Sequence, residues 1–158
     1  MNQTEVNRIA DQLHFGYAGP AWHGDHITKV LADVQVEQLA SALPNSHSIA
    51  EIIEHMIAWR VFVIKNMQGE VYDITKDAVN FPKAEQMDVA YWQDLQARLE
   101  KSQAQLLGLI RSWPDEKLWE TVPGRKYTFY ILLHGIVQHD LYHLGQIVLL
   151  KKLQPERS

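Results

Sequence analysis

Eight histidines stand in this chain of 158 residues, and the spacing of three of them points to chemistry. His139 and His143 are four residues apart in a segment rich in Ile, Leu and Val. At about 100° per residue on a helix they lie about 40° apart, one turn above the other. Leu132, Gly135, Tyr142, Gln146 and Leu150 share their stripe. The two imidazoles therefore fall in a core-facing band, where a polar ring needs a partner. Such a pair can give two nitrogens to one metal ion. The residue after the first histidine is Asp140, not the glutamate of the zinc-protease helix, so a metalloprotease is not expected.

His55 is the third. It lies midway along another apolar segment, with Ile52, Trp59 and Phe62 on its stripe. Three histidines converging in a bundle core would form an open tripod, with a position left for water or substrate. The spacing equally allows three rings that hydrogen-bond separately, and it leaves both readings open. His134 is about 140° from His139 and about 180° from His143, which turns it away toward packing or an interface. His14 falls at the edge of the first helix and His47 just before a helix cap. His23 and His26 belong to the turn Gly19-Pro-Ala-Trp-His-Gly24, where Trp22 and His23 are candidates for the wall of a pocket. Glu51, Trp59 and Gln146 are further candidates for lining or supporting the site, although Glu51 is equally explained as a helix-capping residue.

These side chains need helices to position them. Apolar residues recur at helical spacing and no stretch alternates with period two, which predicts an all-α chain. The first helix is expected from about Thr4 to Tyr17, with Val6, Ile9, Ala10, Leu13 and Tyr17 buried and Gly16, Gly19 and Pro20 ending it. Asp25 can cap a short helix carrying Ile27, Val30, Leu31 and Val34, and another short helix would hold Leu39 and Leu43. Ser48-Ile-Ala-Glu51 reads as a capping box opening a helix that is apolar nearly all round and ends near Gly69. Asn80-Phe-Pro82 marks a polar loop. Asp88 caps a third long helix on the stripe Trp92, Leu95, Leu99, Leu106, Ile110 and Trp113, stopped by Pro114. The fourth is expected over about Thr128 to Leu153. The second and fourth should be the most buried, with their histidine stripes face to face. Four long helices in residues 1–158 read as one bundle domain.

Composition narrows the function. The chain has no cysteine, which excludes disulfides, thiolate-bound zinc or iron–sulfur clusters and a cysteine nucleophile. Fifteen Lys and Arg against nineteen Asp and Glu give a net charge of −4, which argues against a nucleic-acid partner. No apolar run approaches the ~20 residues of a membrane span, and the first residues lack a signal-peptide pattern. The expectation is a soluble cytoplasmic protein.

The segment Ser48-Ile-Ala-Glu-Ile-Ile-Glu-His55-Met-Ile-Ala-Trp59, with Gln138-His139-Asp-Leu-Tyr-His143-Leu-Gly-Gln146-Ile147, resembles the DinB-like (DNA-damage-inducible, YfiT-related) superfamily. Gly-Pro-Ala-Trp22-His-Gly24 is similar to one branch of it. The resemblance implies a four-helix bundle with a long crossover connection and a divalent metal held by His55, His139 and His143. It also implies a homodimer, for which His134, Tyr130 and Tyr127 are candidate contacts, and a small-molecule substrate. The family includes transferases and isomerases that use low-molecular-weight thiols such as bacillithiol or mycothiol. A thiol S-transferase is therefore the first expectation, with a low-molecular-weight thiol as cosubstrate. A metal-dependent hydrolase and a non-catalytic metal-binding or interaction module are the alternatives. Zn, Ni, Co and Fe all accept imidazole nitrogen, so the ligands do not name the metal.

Overall fold

A computed structural model describes residues 4–40, 42–75, 80–84 and 86–153. Among them are five α-helices and no strand: α1 (Glu5–Ala18), α2 (Ile27–Ala32), α3 (Ile49–Met67), α4 (Val89–Arg111) and α5 (Phe129–Lys152). Short 3₁₀ turns occupy Val36–Gln38 and Asp115–Trp119. The four long helices form a bundle in which α3 and α1 each pack against both α4 and α5. Residues 76–79 and 85, in the connection between α3 and α4, lie outside the described residues.

Local chemistry sets the helix starts. Ser48 Oγ accepts from the Glu51 N–H at 3.2 Å while Glu51 Oε2 accepts from the Ser48 N–H at 2.9 Å, the reciprocal cap expected from sequence. Asp88 Oδ1 caps α4 through the Tyr91 N–H at 2.8 Å. Three local expectations need correction. His26, not Asp25, caps α2, its Nδ1 accepting from the Lys29 N–H, because Asp25 is engaged by the Lys29 ammonium at 2.7 Å. Gly16 does not end α1 but lies inside it, where a Cβ would come within 3.4 Å of Leu141 on α5. The helix that was to hold Leu39 and Leu43 is only the Val36–Gln38 turn, with Leu39 buried and Leu43 exposed.

The apolar core comes in two parts, and all four long helices contribute to both. One gathers Tyr17, Ile53, Met56, Leu95, Leu99, Leu144 and Ile147. The other gathers Leu13, Phe62, Val63, Leu106, Leu133 and Ile136. Between them runs a polar layer. Arg60 on α3, fully buried, donates from Nη2 to Asp140 Oδ2 on α5 at 2.7 Å, from Nε to Gln103 Oε1 on α4 and from Nη1 to the Met56 carbonyl. Gln103 Nε2 in turn donates to the Leu13 carbonyl of α1. Each of the four long helices thus supplies at least one group to the layer.

Of the two helices expected to be the most buried, α3 and α5, the second keeps one exposed apolar face. Ile131, Tyr142, Leu149 and Leu153 are all more than half exposed on one face of α5. Periodicity shows that a helix is apolar on most sides, but the number of neighbours decides how many sides are covered.

Removing one partner of a buried ion pair leaves the other charge without compensation, at a cost of ~3–5 kcal/mol, whereas partly exposed pairs are worth about 1 kcal/mol or less. Arg60→Ala should therefore lower the unfolding free energy by ~3–5 kcal/mol in urea titrations. Arg98→Ala, which removes the half-exposed contacts to Glu54 and Asp94, should cost about 1 kcal/mol or less.

Candidate metal centre

His55 projects from the second turn of α3, and His139 and His143 from successive turns of α5, into the edge of the polar layer. Their ring centroids are 4.4–4.9 Å apart in all three pairs. One nitrogen from each lies within 4.8 Å of one from the others. His55 and His143 are buried, each 5% exposed, and His139 is half-buried.

Hydrogen bonds decide which nitrogens face the centre. The Asn80 carbonyl oxygen can only accept, so its 2.5 Å contact assigns the proton to His55 Nδ1 and leaves a lone pair on Nε2. That Nε2 lies 3.0 Å from His139 Nε2. Gln146 Oε1 accepts from His143 Nδ1 at 2.7 Å, which likewise frees the far nitrogen. His139 Nδ1 is buried with no partner among the described residues, and this ring's hydrogen-bond contact is the one its Nε2 makes with His55 Nε2.

Aromatic rings wall the cluster. Phe81 is stacked between His47 and His55, at 3.6 Å and 3.8 Å between centroids with 6° between planes in both pairs. Trp59 sits 5.2 Å from the His139 ring, and its indole N–H donates to Asn80 Oδ1 at 3.0 Å. Asn80 therefore holds His55 with its backbone and Trp59 with its side chain.

Burial pushes the His139 ring down to about 3 and the His55 ring down to about 4, with the charges of neighbouring imidazoles adding to the effect. His143 is also lowered, chiefly by burial. All three are neutral at pH 7, the state in which imidazole is a ligand. The donor set fits a divalent ion. Metal–nitrogen bonds of ~2.0–2.1 Å allow at most ~4.2 Å between two ligand atoms, and the 3.0 Å pair already satisfies this. Nitrogens around a tetrahedral ion stand ~3.3 Å apart, so a separation near the 4.8 Å bound would close by up to ~1.5 Å through side-chain rotation.

The other sequence candidates are placed as follows. Gln146 and Trp59 touch the histidines directly. Glu51 is occupied by the α3 cap. Trp22 is fully exposed, and His23 lines a separate cavity of about 410 Å³ with Val30, Leu144 and Lys151 that includes none of the three histidines. His134 faces Glu5 at 3.7 Å and packs on Tyr130, away from the cluster. Sequence reasoning passed over Arg60, Asn80 and Phe81. Arg60 had a readable signal, a lone cation in an apolar helix with Asp140 as the matching anion in another. Asn80 and Phe81 had none beyond marking a loop.

Without a metal ion, the histidines should make the protein acid-labile. The unfolded chain takes up protons at its imidazoles near pH ~6.5, whereas folded His55 and His139 resist until about 4 and about 3, so the unfolded state binds more protons between these values. Stability is then full above pH ~6.5 and falls as the pH drops toward 4. Asp140 acts in the opposite sense, because burial raises its carboxyl to about 6. One carboxyl offsets one histidine, and the rest carry the loss. Urea midpoints of the metal-free protein should drop steadily from pH 7 to pH 4.5, and His139→Phe should flatten that dependence.

Residues 20–147 match the family model of the DinB superfamily. No curated protein and no solved structure matches the chain. The family match takes in all three clustered histidines, the whole of α3, α5 as far as Ile147, and Arg60 with Asp140. This chain belongs to the DinB superfamily.

Proposed function

We propose that His55, His139 and His143 hold one divalent metal ion and that the protein is a metal-dependent enzyme, transferring a low-molecular-weight thiol to a small electrophilic substrate. The observation that supports it is the convergence of three neutral, largely buried imidazoles within 4.8 Å. A bound ion supplies Lewis acidity, which favours the deprotonated form of a thiol at neutral pH. The protein's own residues do the positioning. Asn80 and Gln146 fix two ring tautomers, and Phe81 and Trp59 keep water from the imidazoles. Asp140 is tied to Arg60 and is not free to act as a base on substrate. Thiol transfer comes from the resemblance; hydrolysis would use the same residues with water as nucleophile. Zn, Ni, Co or Fe would suit the ligands.

The same reading takes the chain as one cytoplasmic bundle domain that pairs with a second copy. The exposed Tyr142, Leu149 and Leu153 at the C-terminal part of α5 support such pairing better than Tyr130 and His134, which pack within the chain. Among the described residues, no helix is long and apolar enough to cross a membrane.

Metal analysis of freshly purified protein should find one divalent ion per chain. His139→Ala should lose it with helical circular dichroism retained, and His134→Ala should keep it. Gln146→Leu should weaken metal affinity ~10–100-fold, because the ring it orients is released. With a panel of cellular thiols and a model electrophile, wild type should turn over and His143→Ala should not. Turnover that is independent of thiol would move the assignment to hydrolysis, and equal rates for both proteins would remove catalysis from this site.

A further inference from the structure

A second feature adjoins the histidines. Between α3 and α5 lies a cleft of about 210 Å³, with Trp59 and Val63 on one side, Tyr127, Ile131 and Gly135 on the other, and His139 in its wall. No Asp, Glu, Lys or Arg is among the residues that line it. Trp59 is the shared partition, facing the cleft while its ring packs on His139 and its N–H is held by Asn80. Gly135 keeps the cleft open. A Cβ added there would meet nothing within 4 Å, so any side chain at this position would enter empty space rather than displace a neighbour.

We propose that this cleft is the subsite for the apolar part of the substrate, and that the group it takes is a small uncharged alkyl or aryl group. The inference rests on the metal-dependent reading, because His139 would then belong both to the metal's ligands and to the wall of the subsite. Size and lining select the occupant. An apolar cavity of roughly 150 Å³ is enough for benzene, whereas drug-sized ligands occupy about 300–1,000 Å³. Within the lining itself a charged group would lose its hydration with no opposite charge to replace it, so the discrimination against charge is a property of the metal-free cleft. The hydroxyl-rich surface of a sugar would similarly go unpaired, since the lining offers little beyond the Tyr127 hydroxyl and imidazole nitrogen. A ring or short branched chain would lie against Trp59 and the Gly135 backbone, directed toward His139.

The test uses benzyl alcohol and benzoate, which share a ring and differ in charge, titrated into full-length protein with and without zinc. The readout is the ¹H–¹⁵N spectrum, followed at the Gly135 amide and the Trp59 indole N–H. In the metal-free protein benzyl alcohol should shift both saturably, and benzoate at the same concentration should not. The series Gly135→Ala, Gly135→Val and Gly135→Leu should weaken binding progressively, by at least tenfold at leucine. Gly135→Ala should fold at least as stably as wild type, since alanine favours a helix over glycine by about 1 kcal/mol, and it keeps the series interpretable if leucine impairs folding. Metal stoichiometry is measured on the same samples. Metal bound by every variant with no saturable benzyl alcohol shift would overturn the subsite alone; graded benzyl alcohol binding with no metal on any sample would leave the cleft as a ligand site and overturn the metal reading. Benzoate binding the metal-free protein as tightly as benzyl alcohol would overturn the stated substrate class. Shifts at Gly135 that follow protein concentration instead of ligand would assign the cleft to a second copy of the chain.

Discussion

Arg60 is a cation with no access to water, and the bundle is organised around the need to compensate it. A guanidinium in the interior is tolerated only when its charge is paired and its donors are used. Asp140 provides the charge, and Gln103 and the Met56 carbonyl take further donors. This pairing sets α3 against α5 in one register. Shifting either helix by a turn would strand both charges. Because His55 is five residues before Arg60, and His139 and His143 flank Asp140, the register that joins the ion pair also brings the three imidazoles together.

The polar layer has a second consequence. It divides the apolar core into two parts, each built by all four long helices, and places the histidines at the edge of the division. Burial there is deep enough to keep the rings neutral but does not seal them. One wall is the Asn80–Phe81 segment, and on the other side Trp59 separates the cluster from the cleft at Gly135. Desolvation thus does double work, suppressing protonation of the imidazoles and strengthening any electrostatic interaction made inside. The same low polarity makes unpartnered polar atoms costly, and of the four among the described residues two, Asp140 Oδ1 and His139 Nδ1, lie beside the candidate centre.

Hydrogen bonding at the cluster is unequal. His55 and His143 each have an oriented ring, held by a carbonyl and by a side-chain amide, while His139 is positioned by its contacts with Trp59 and its fellow histidines. The ring least constrained is also the one shared with the cleft. Small adjustments of His139 therefore offer the natural route for closing the ligand nitrogens around an ion without moving a helix.

Much of this was legible in the residues because helices are local. The stripe Val6, Ile9, Leu13 and Tyr17, the Ser48–Glu51 capping box and the Asp88 cap each depend on spacings of three or four residues, and all stand in the structure as read. The pairing of His139 with His143 on one face, and the turning away of His134, follow from the same 100° step. What the sequence could not decide was which helix faces which, and how closely. Periodicity gave α5 more apolar surface than the bundle covers, because a helix cannot record how many neighbours it has. Asp140 could be read as a surface residue until Arg60 was found opposite it, 80 positions away in the chain. Asn80 and Phe81 had no periodic signal at all, since a loop takes its position from what it lands on. The sequence by itself determined the helices and the faces their histidines occupy; the tertiary structure alone decided that those faces meet, because only long-range packing and a buried charge seeking its partner select one register among several with equal local merit.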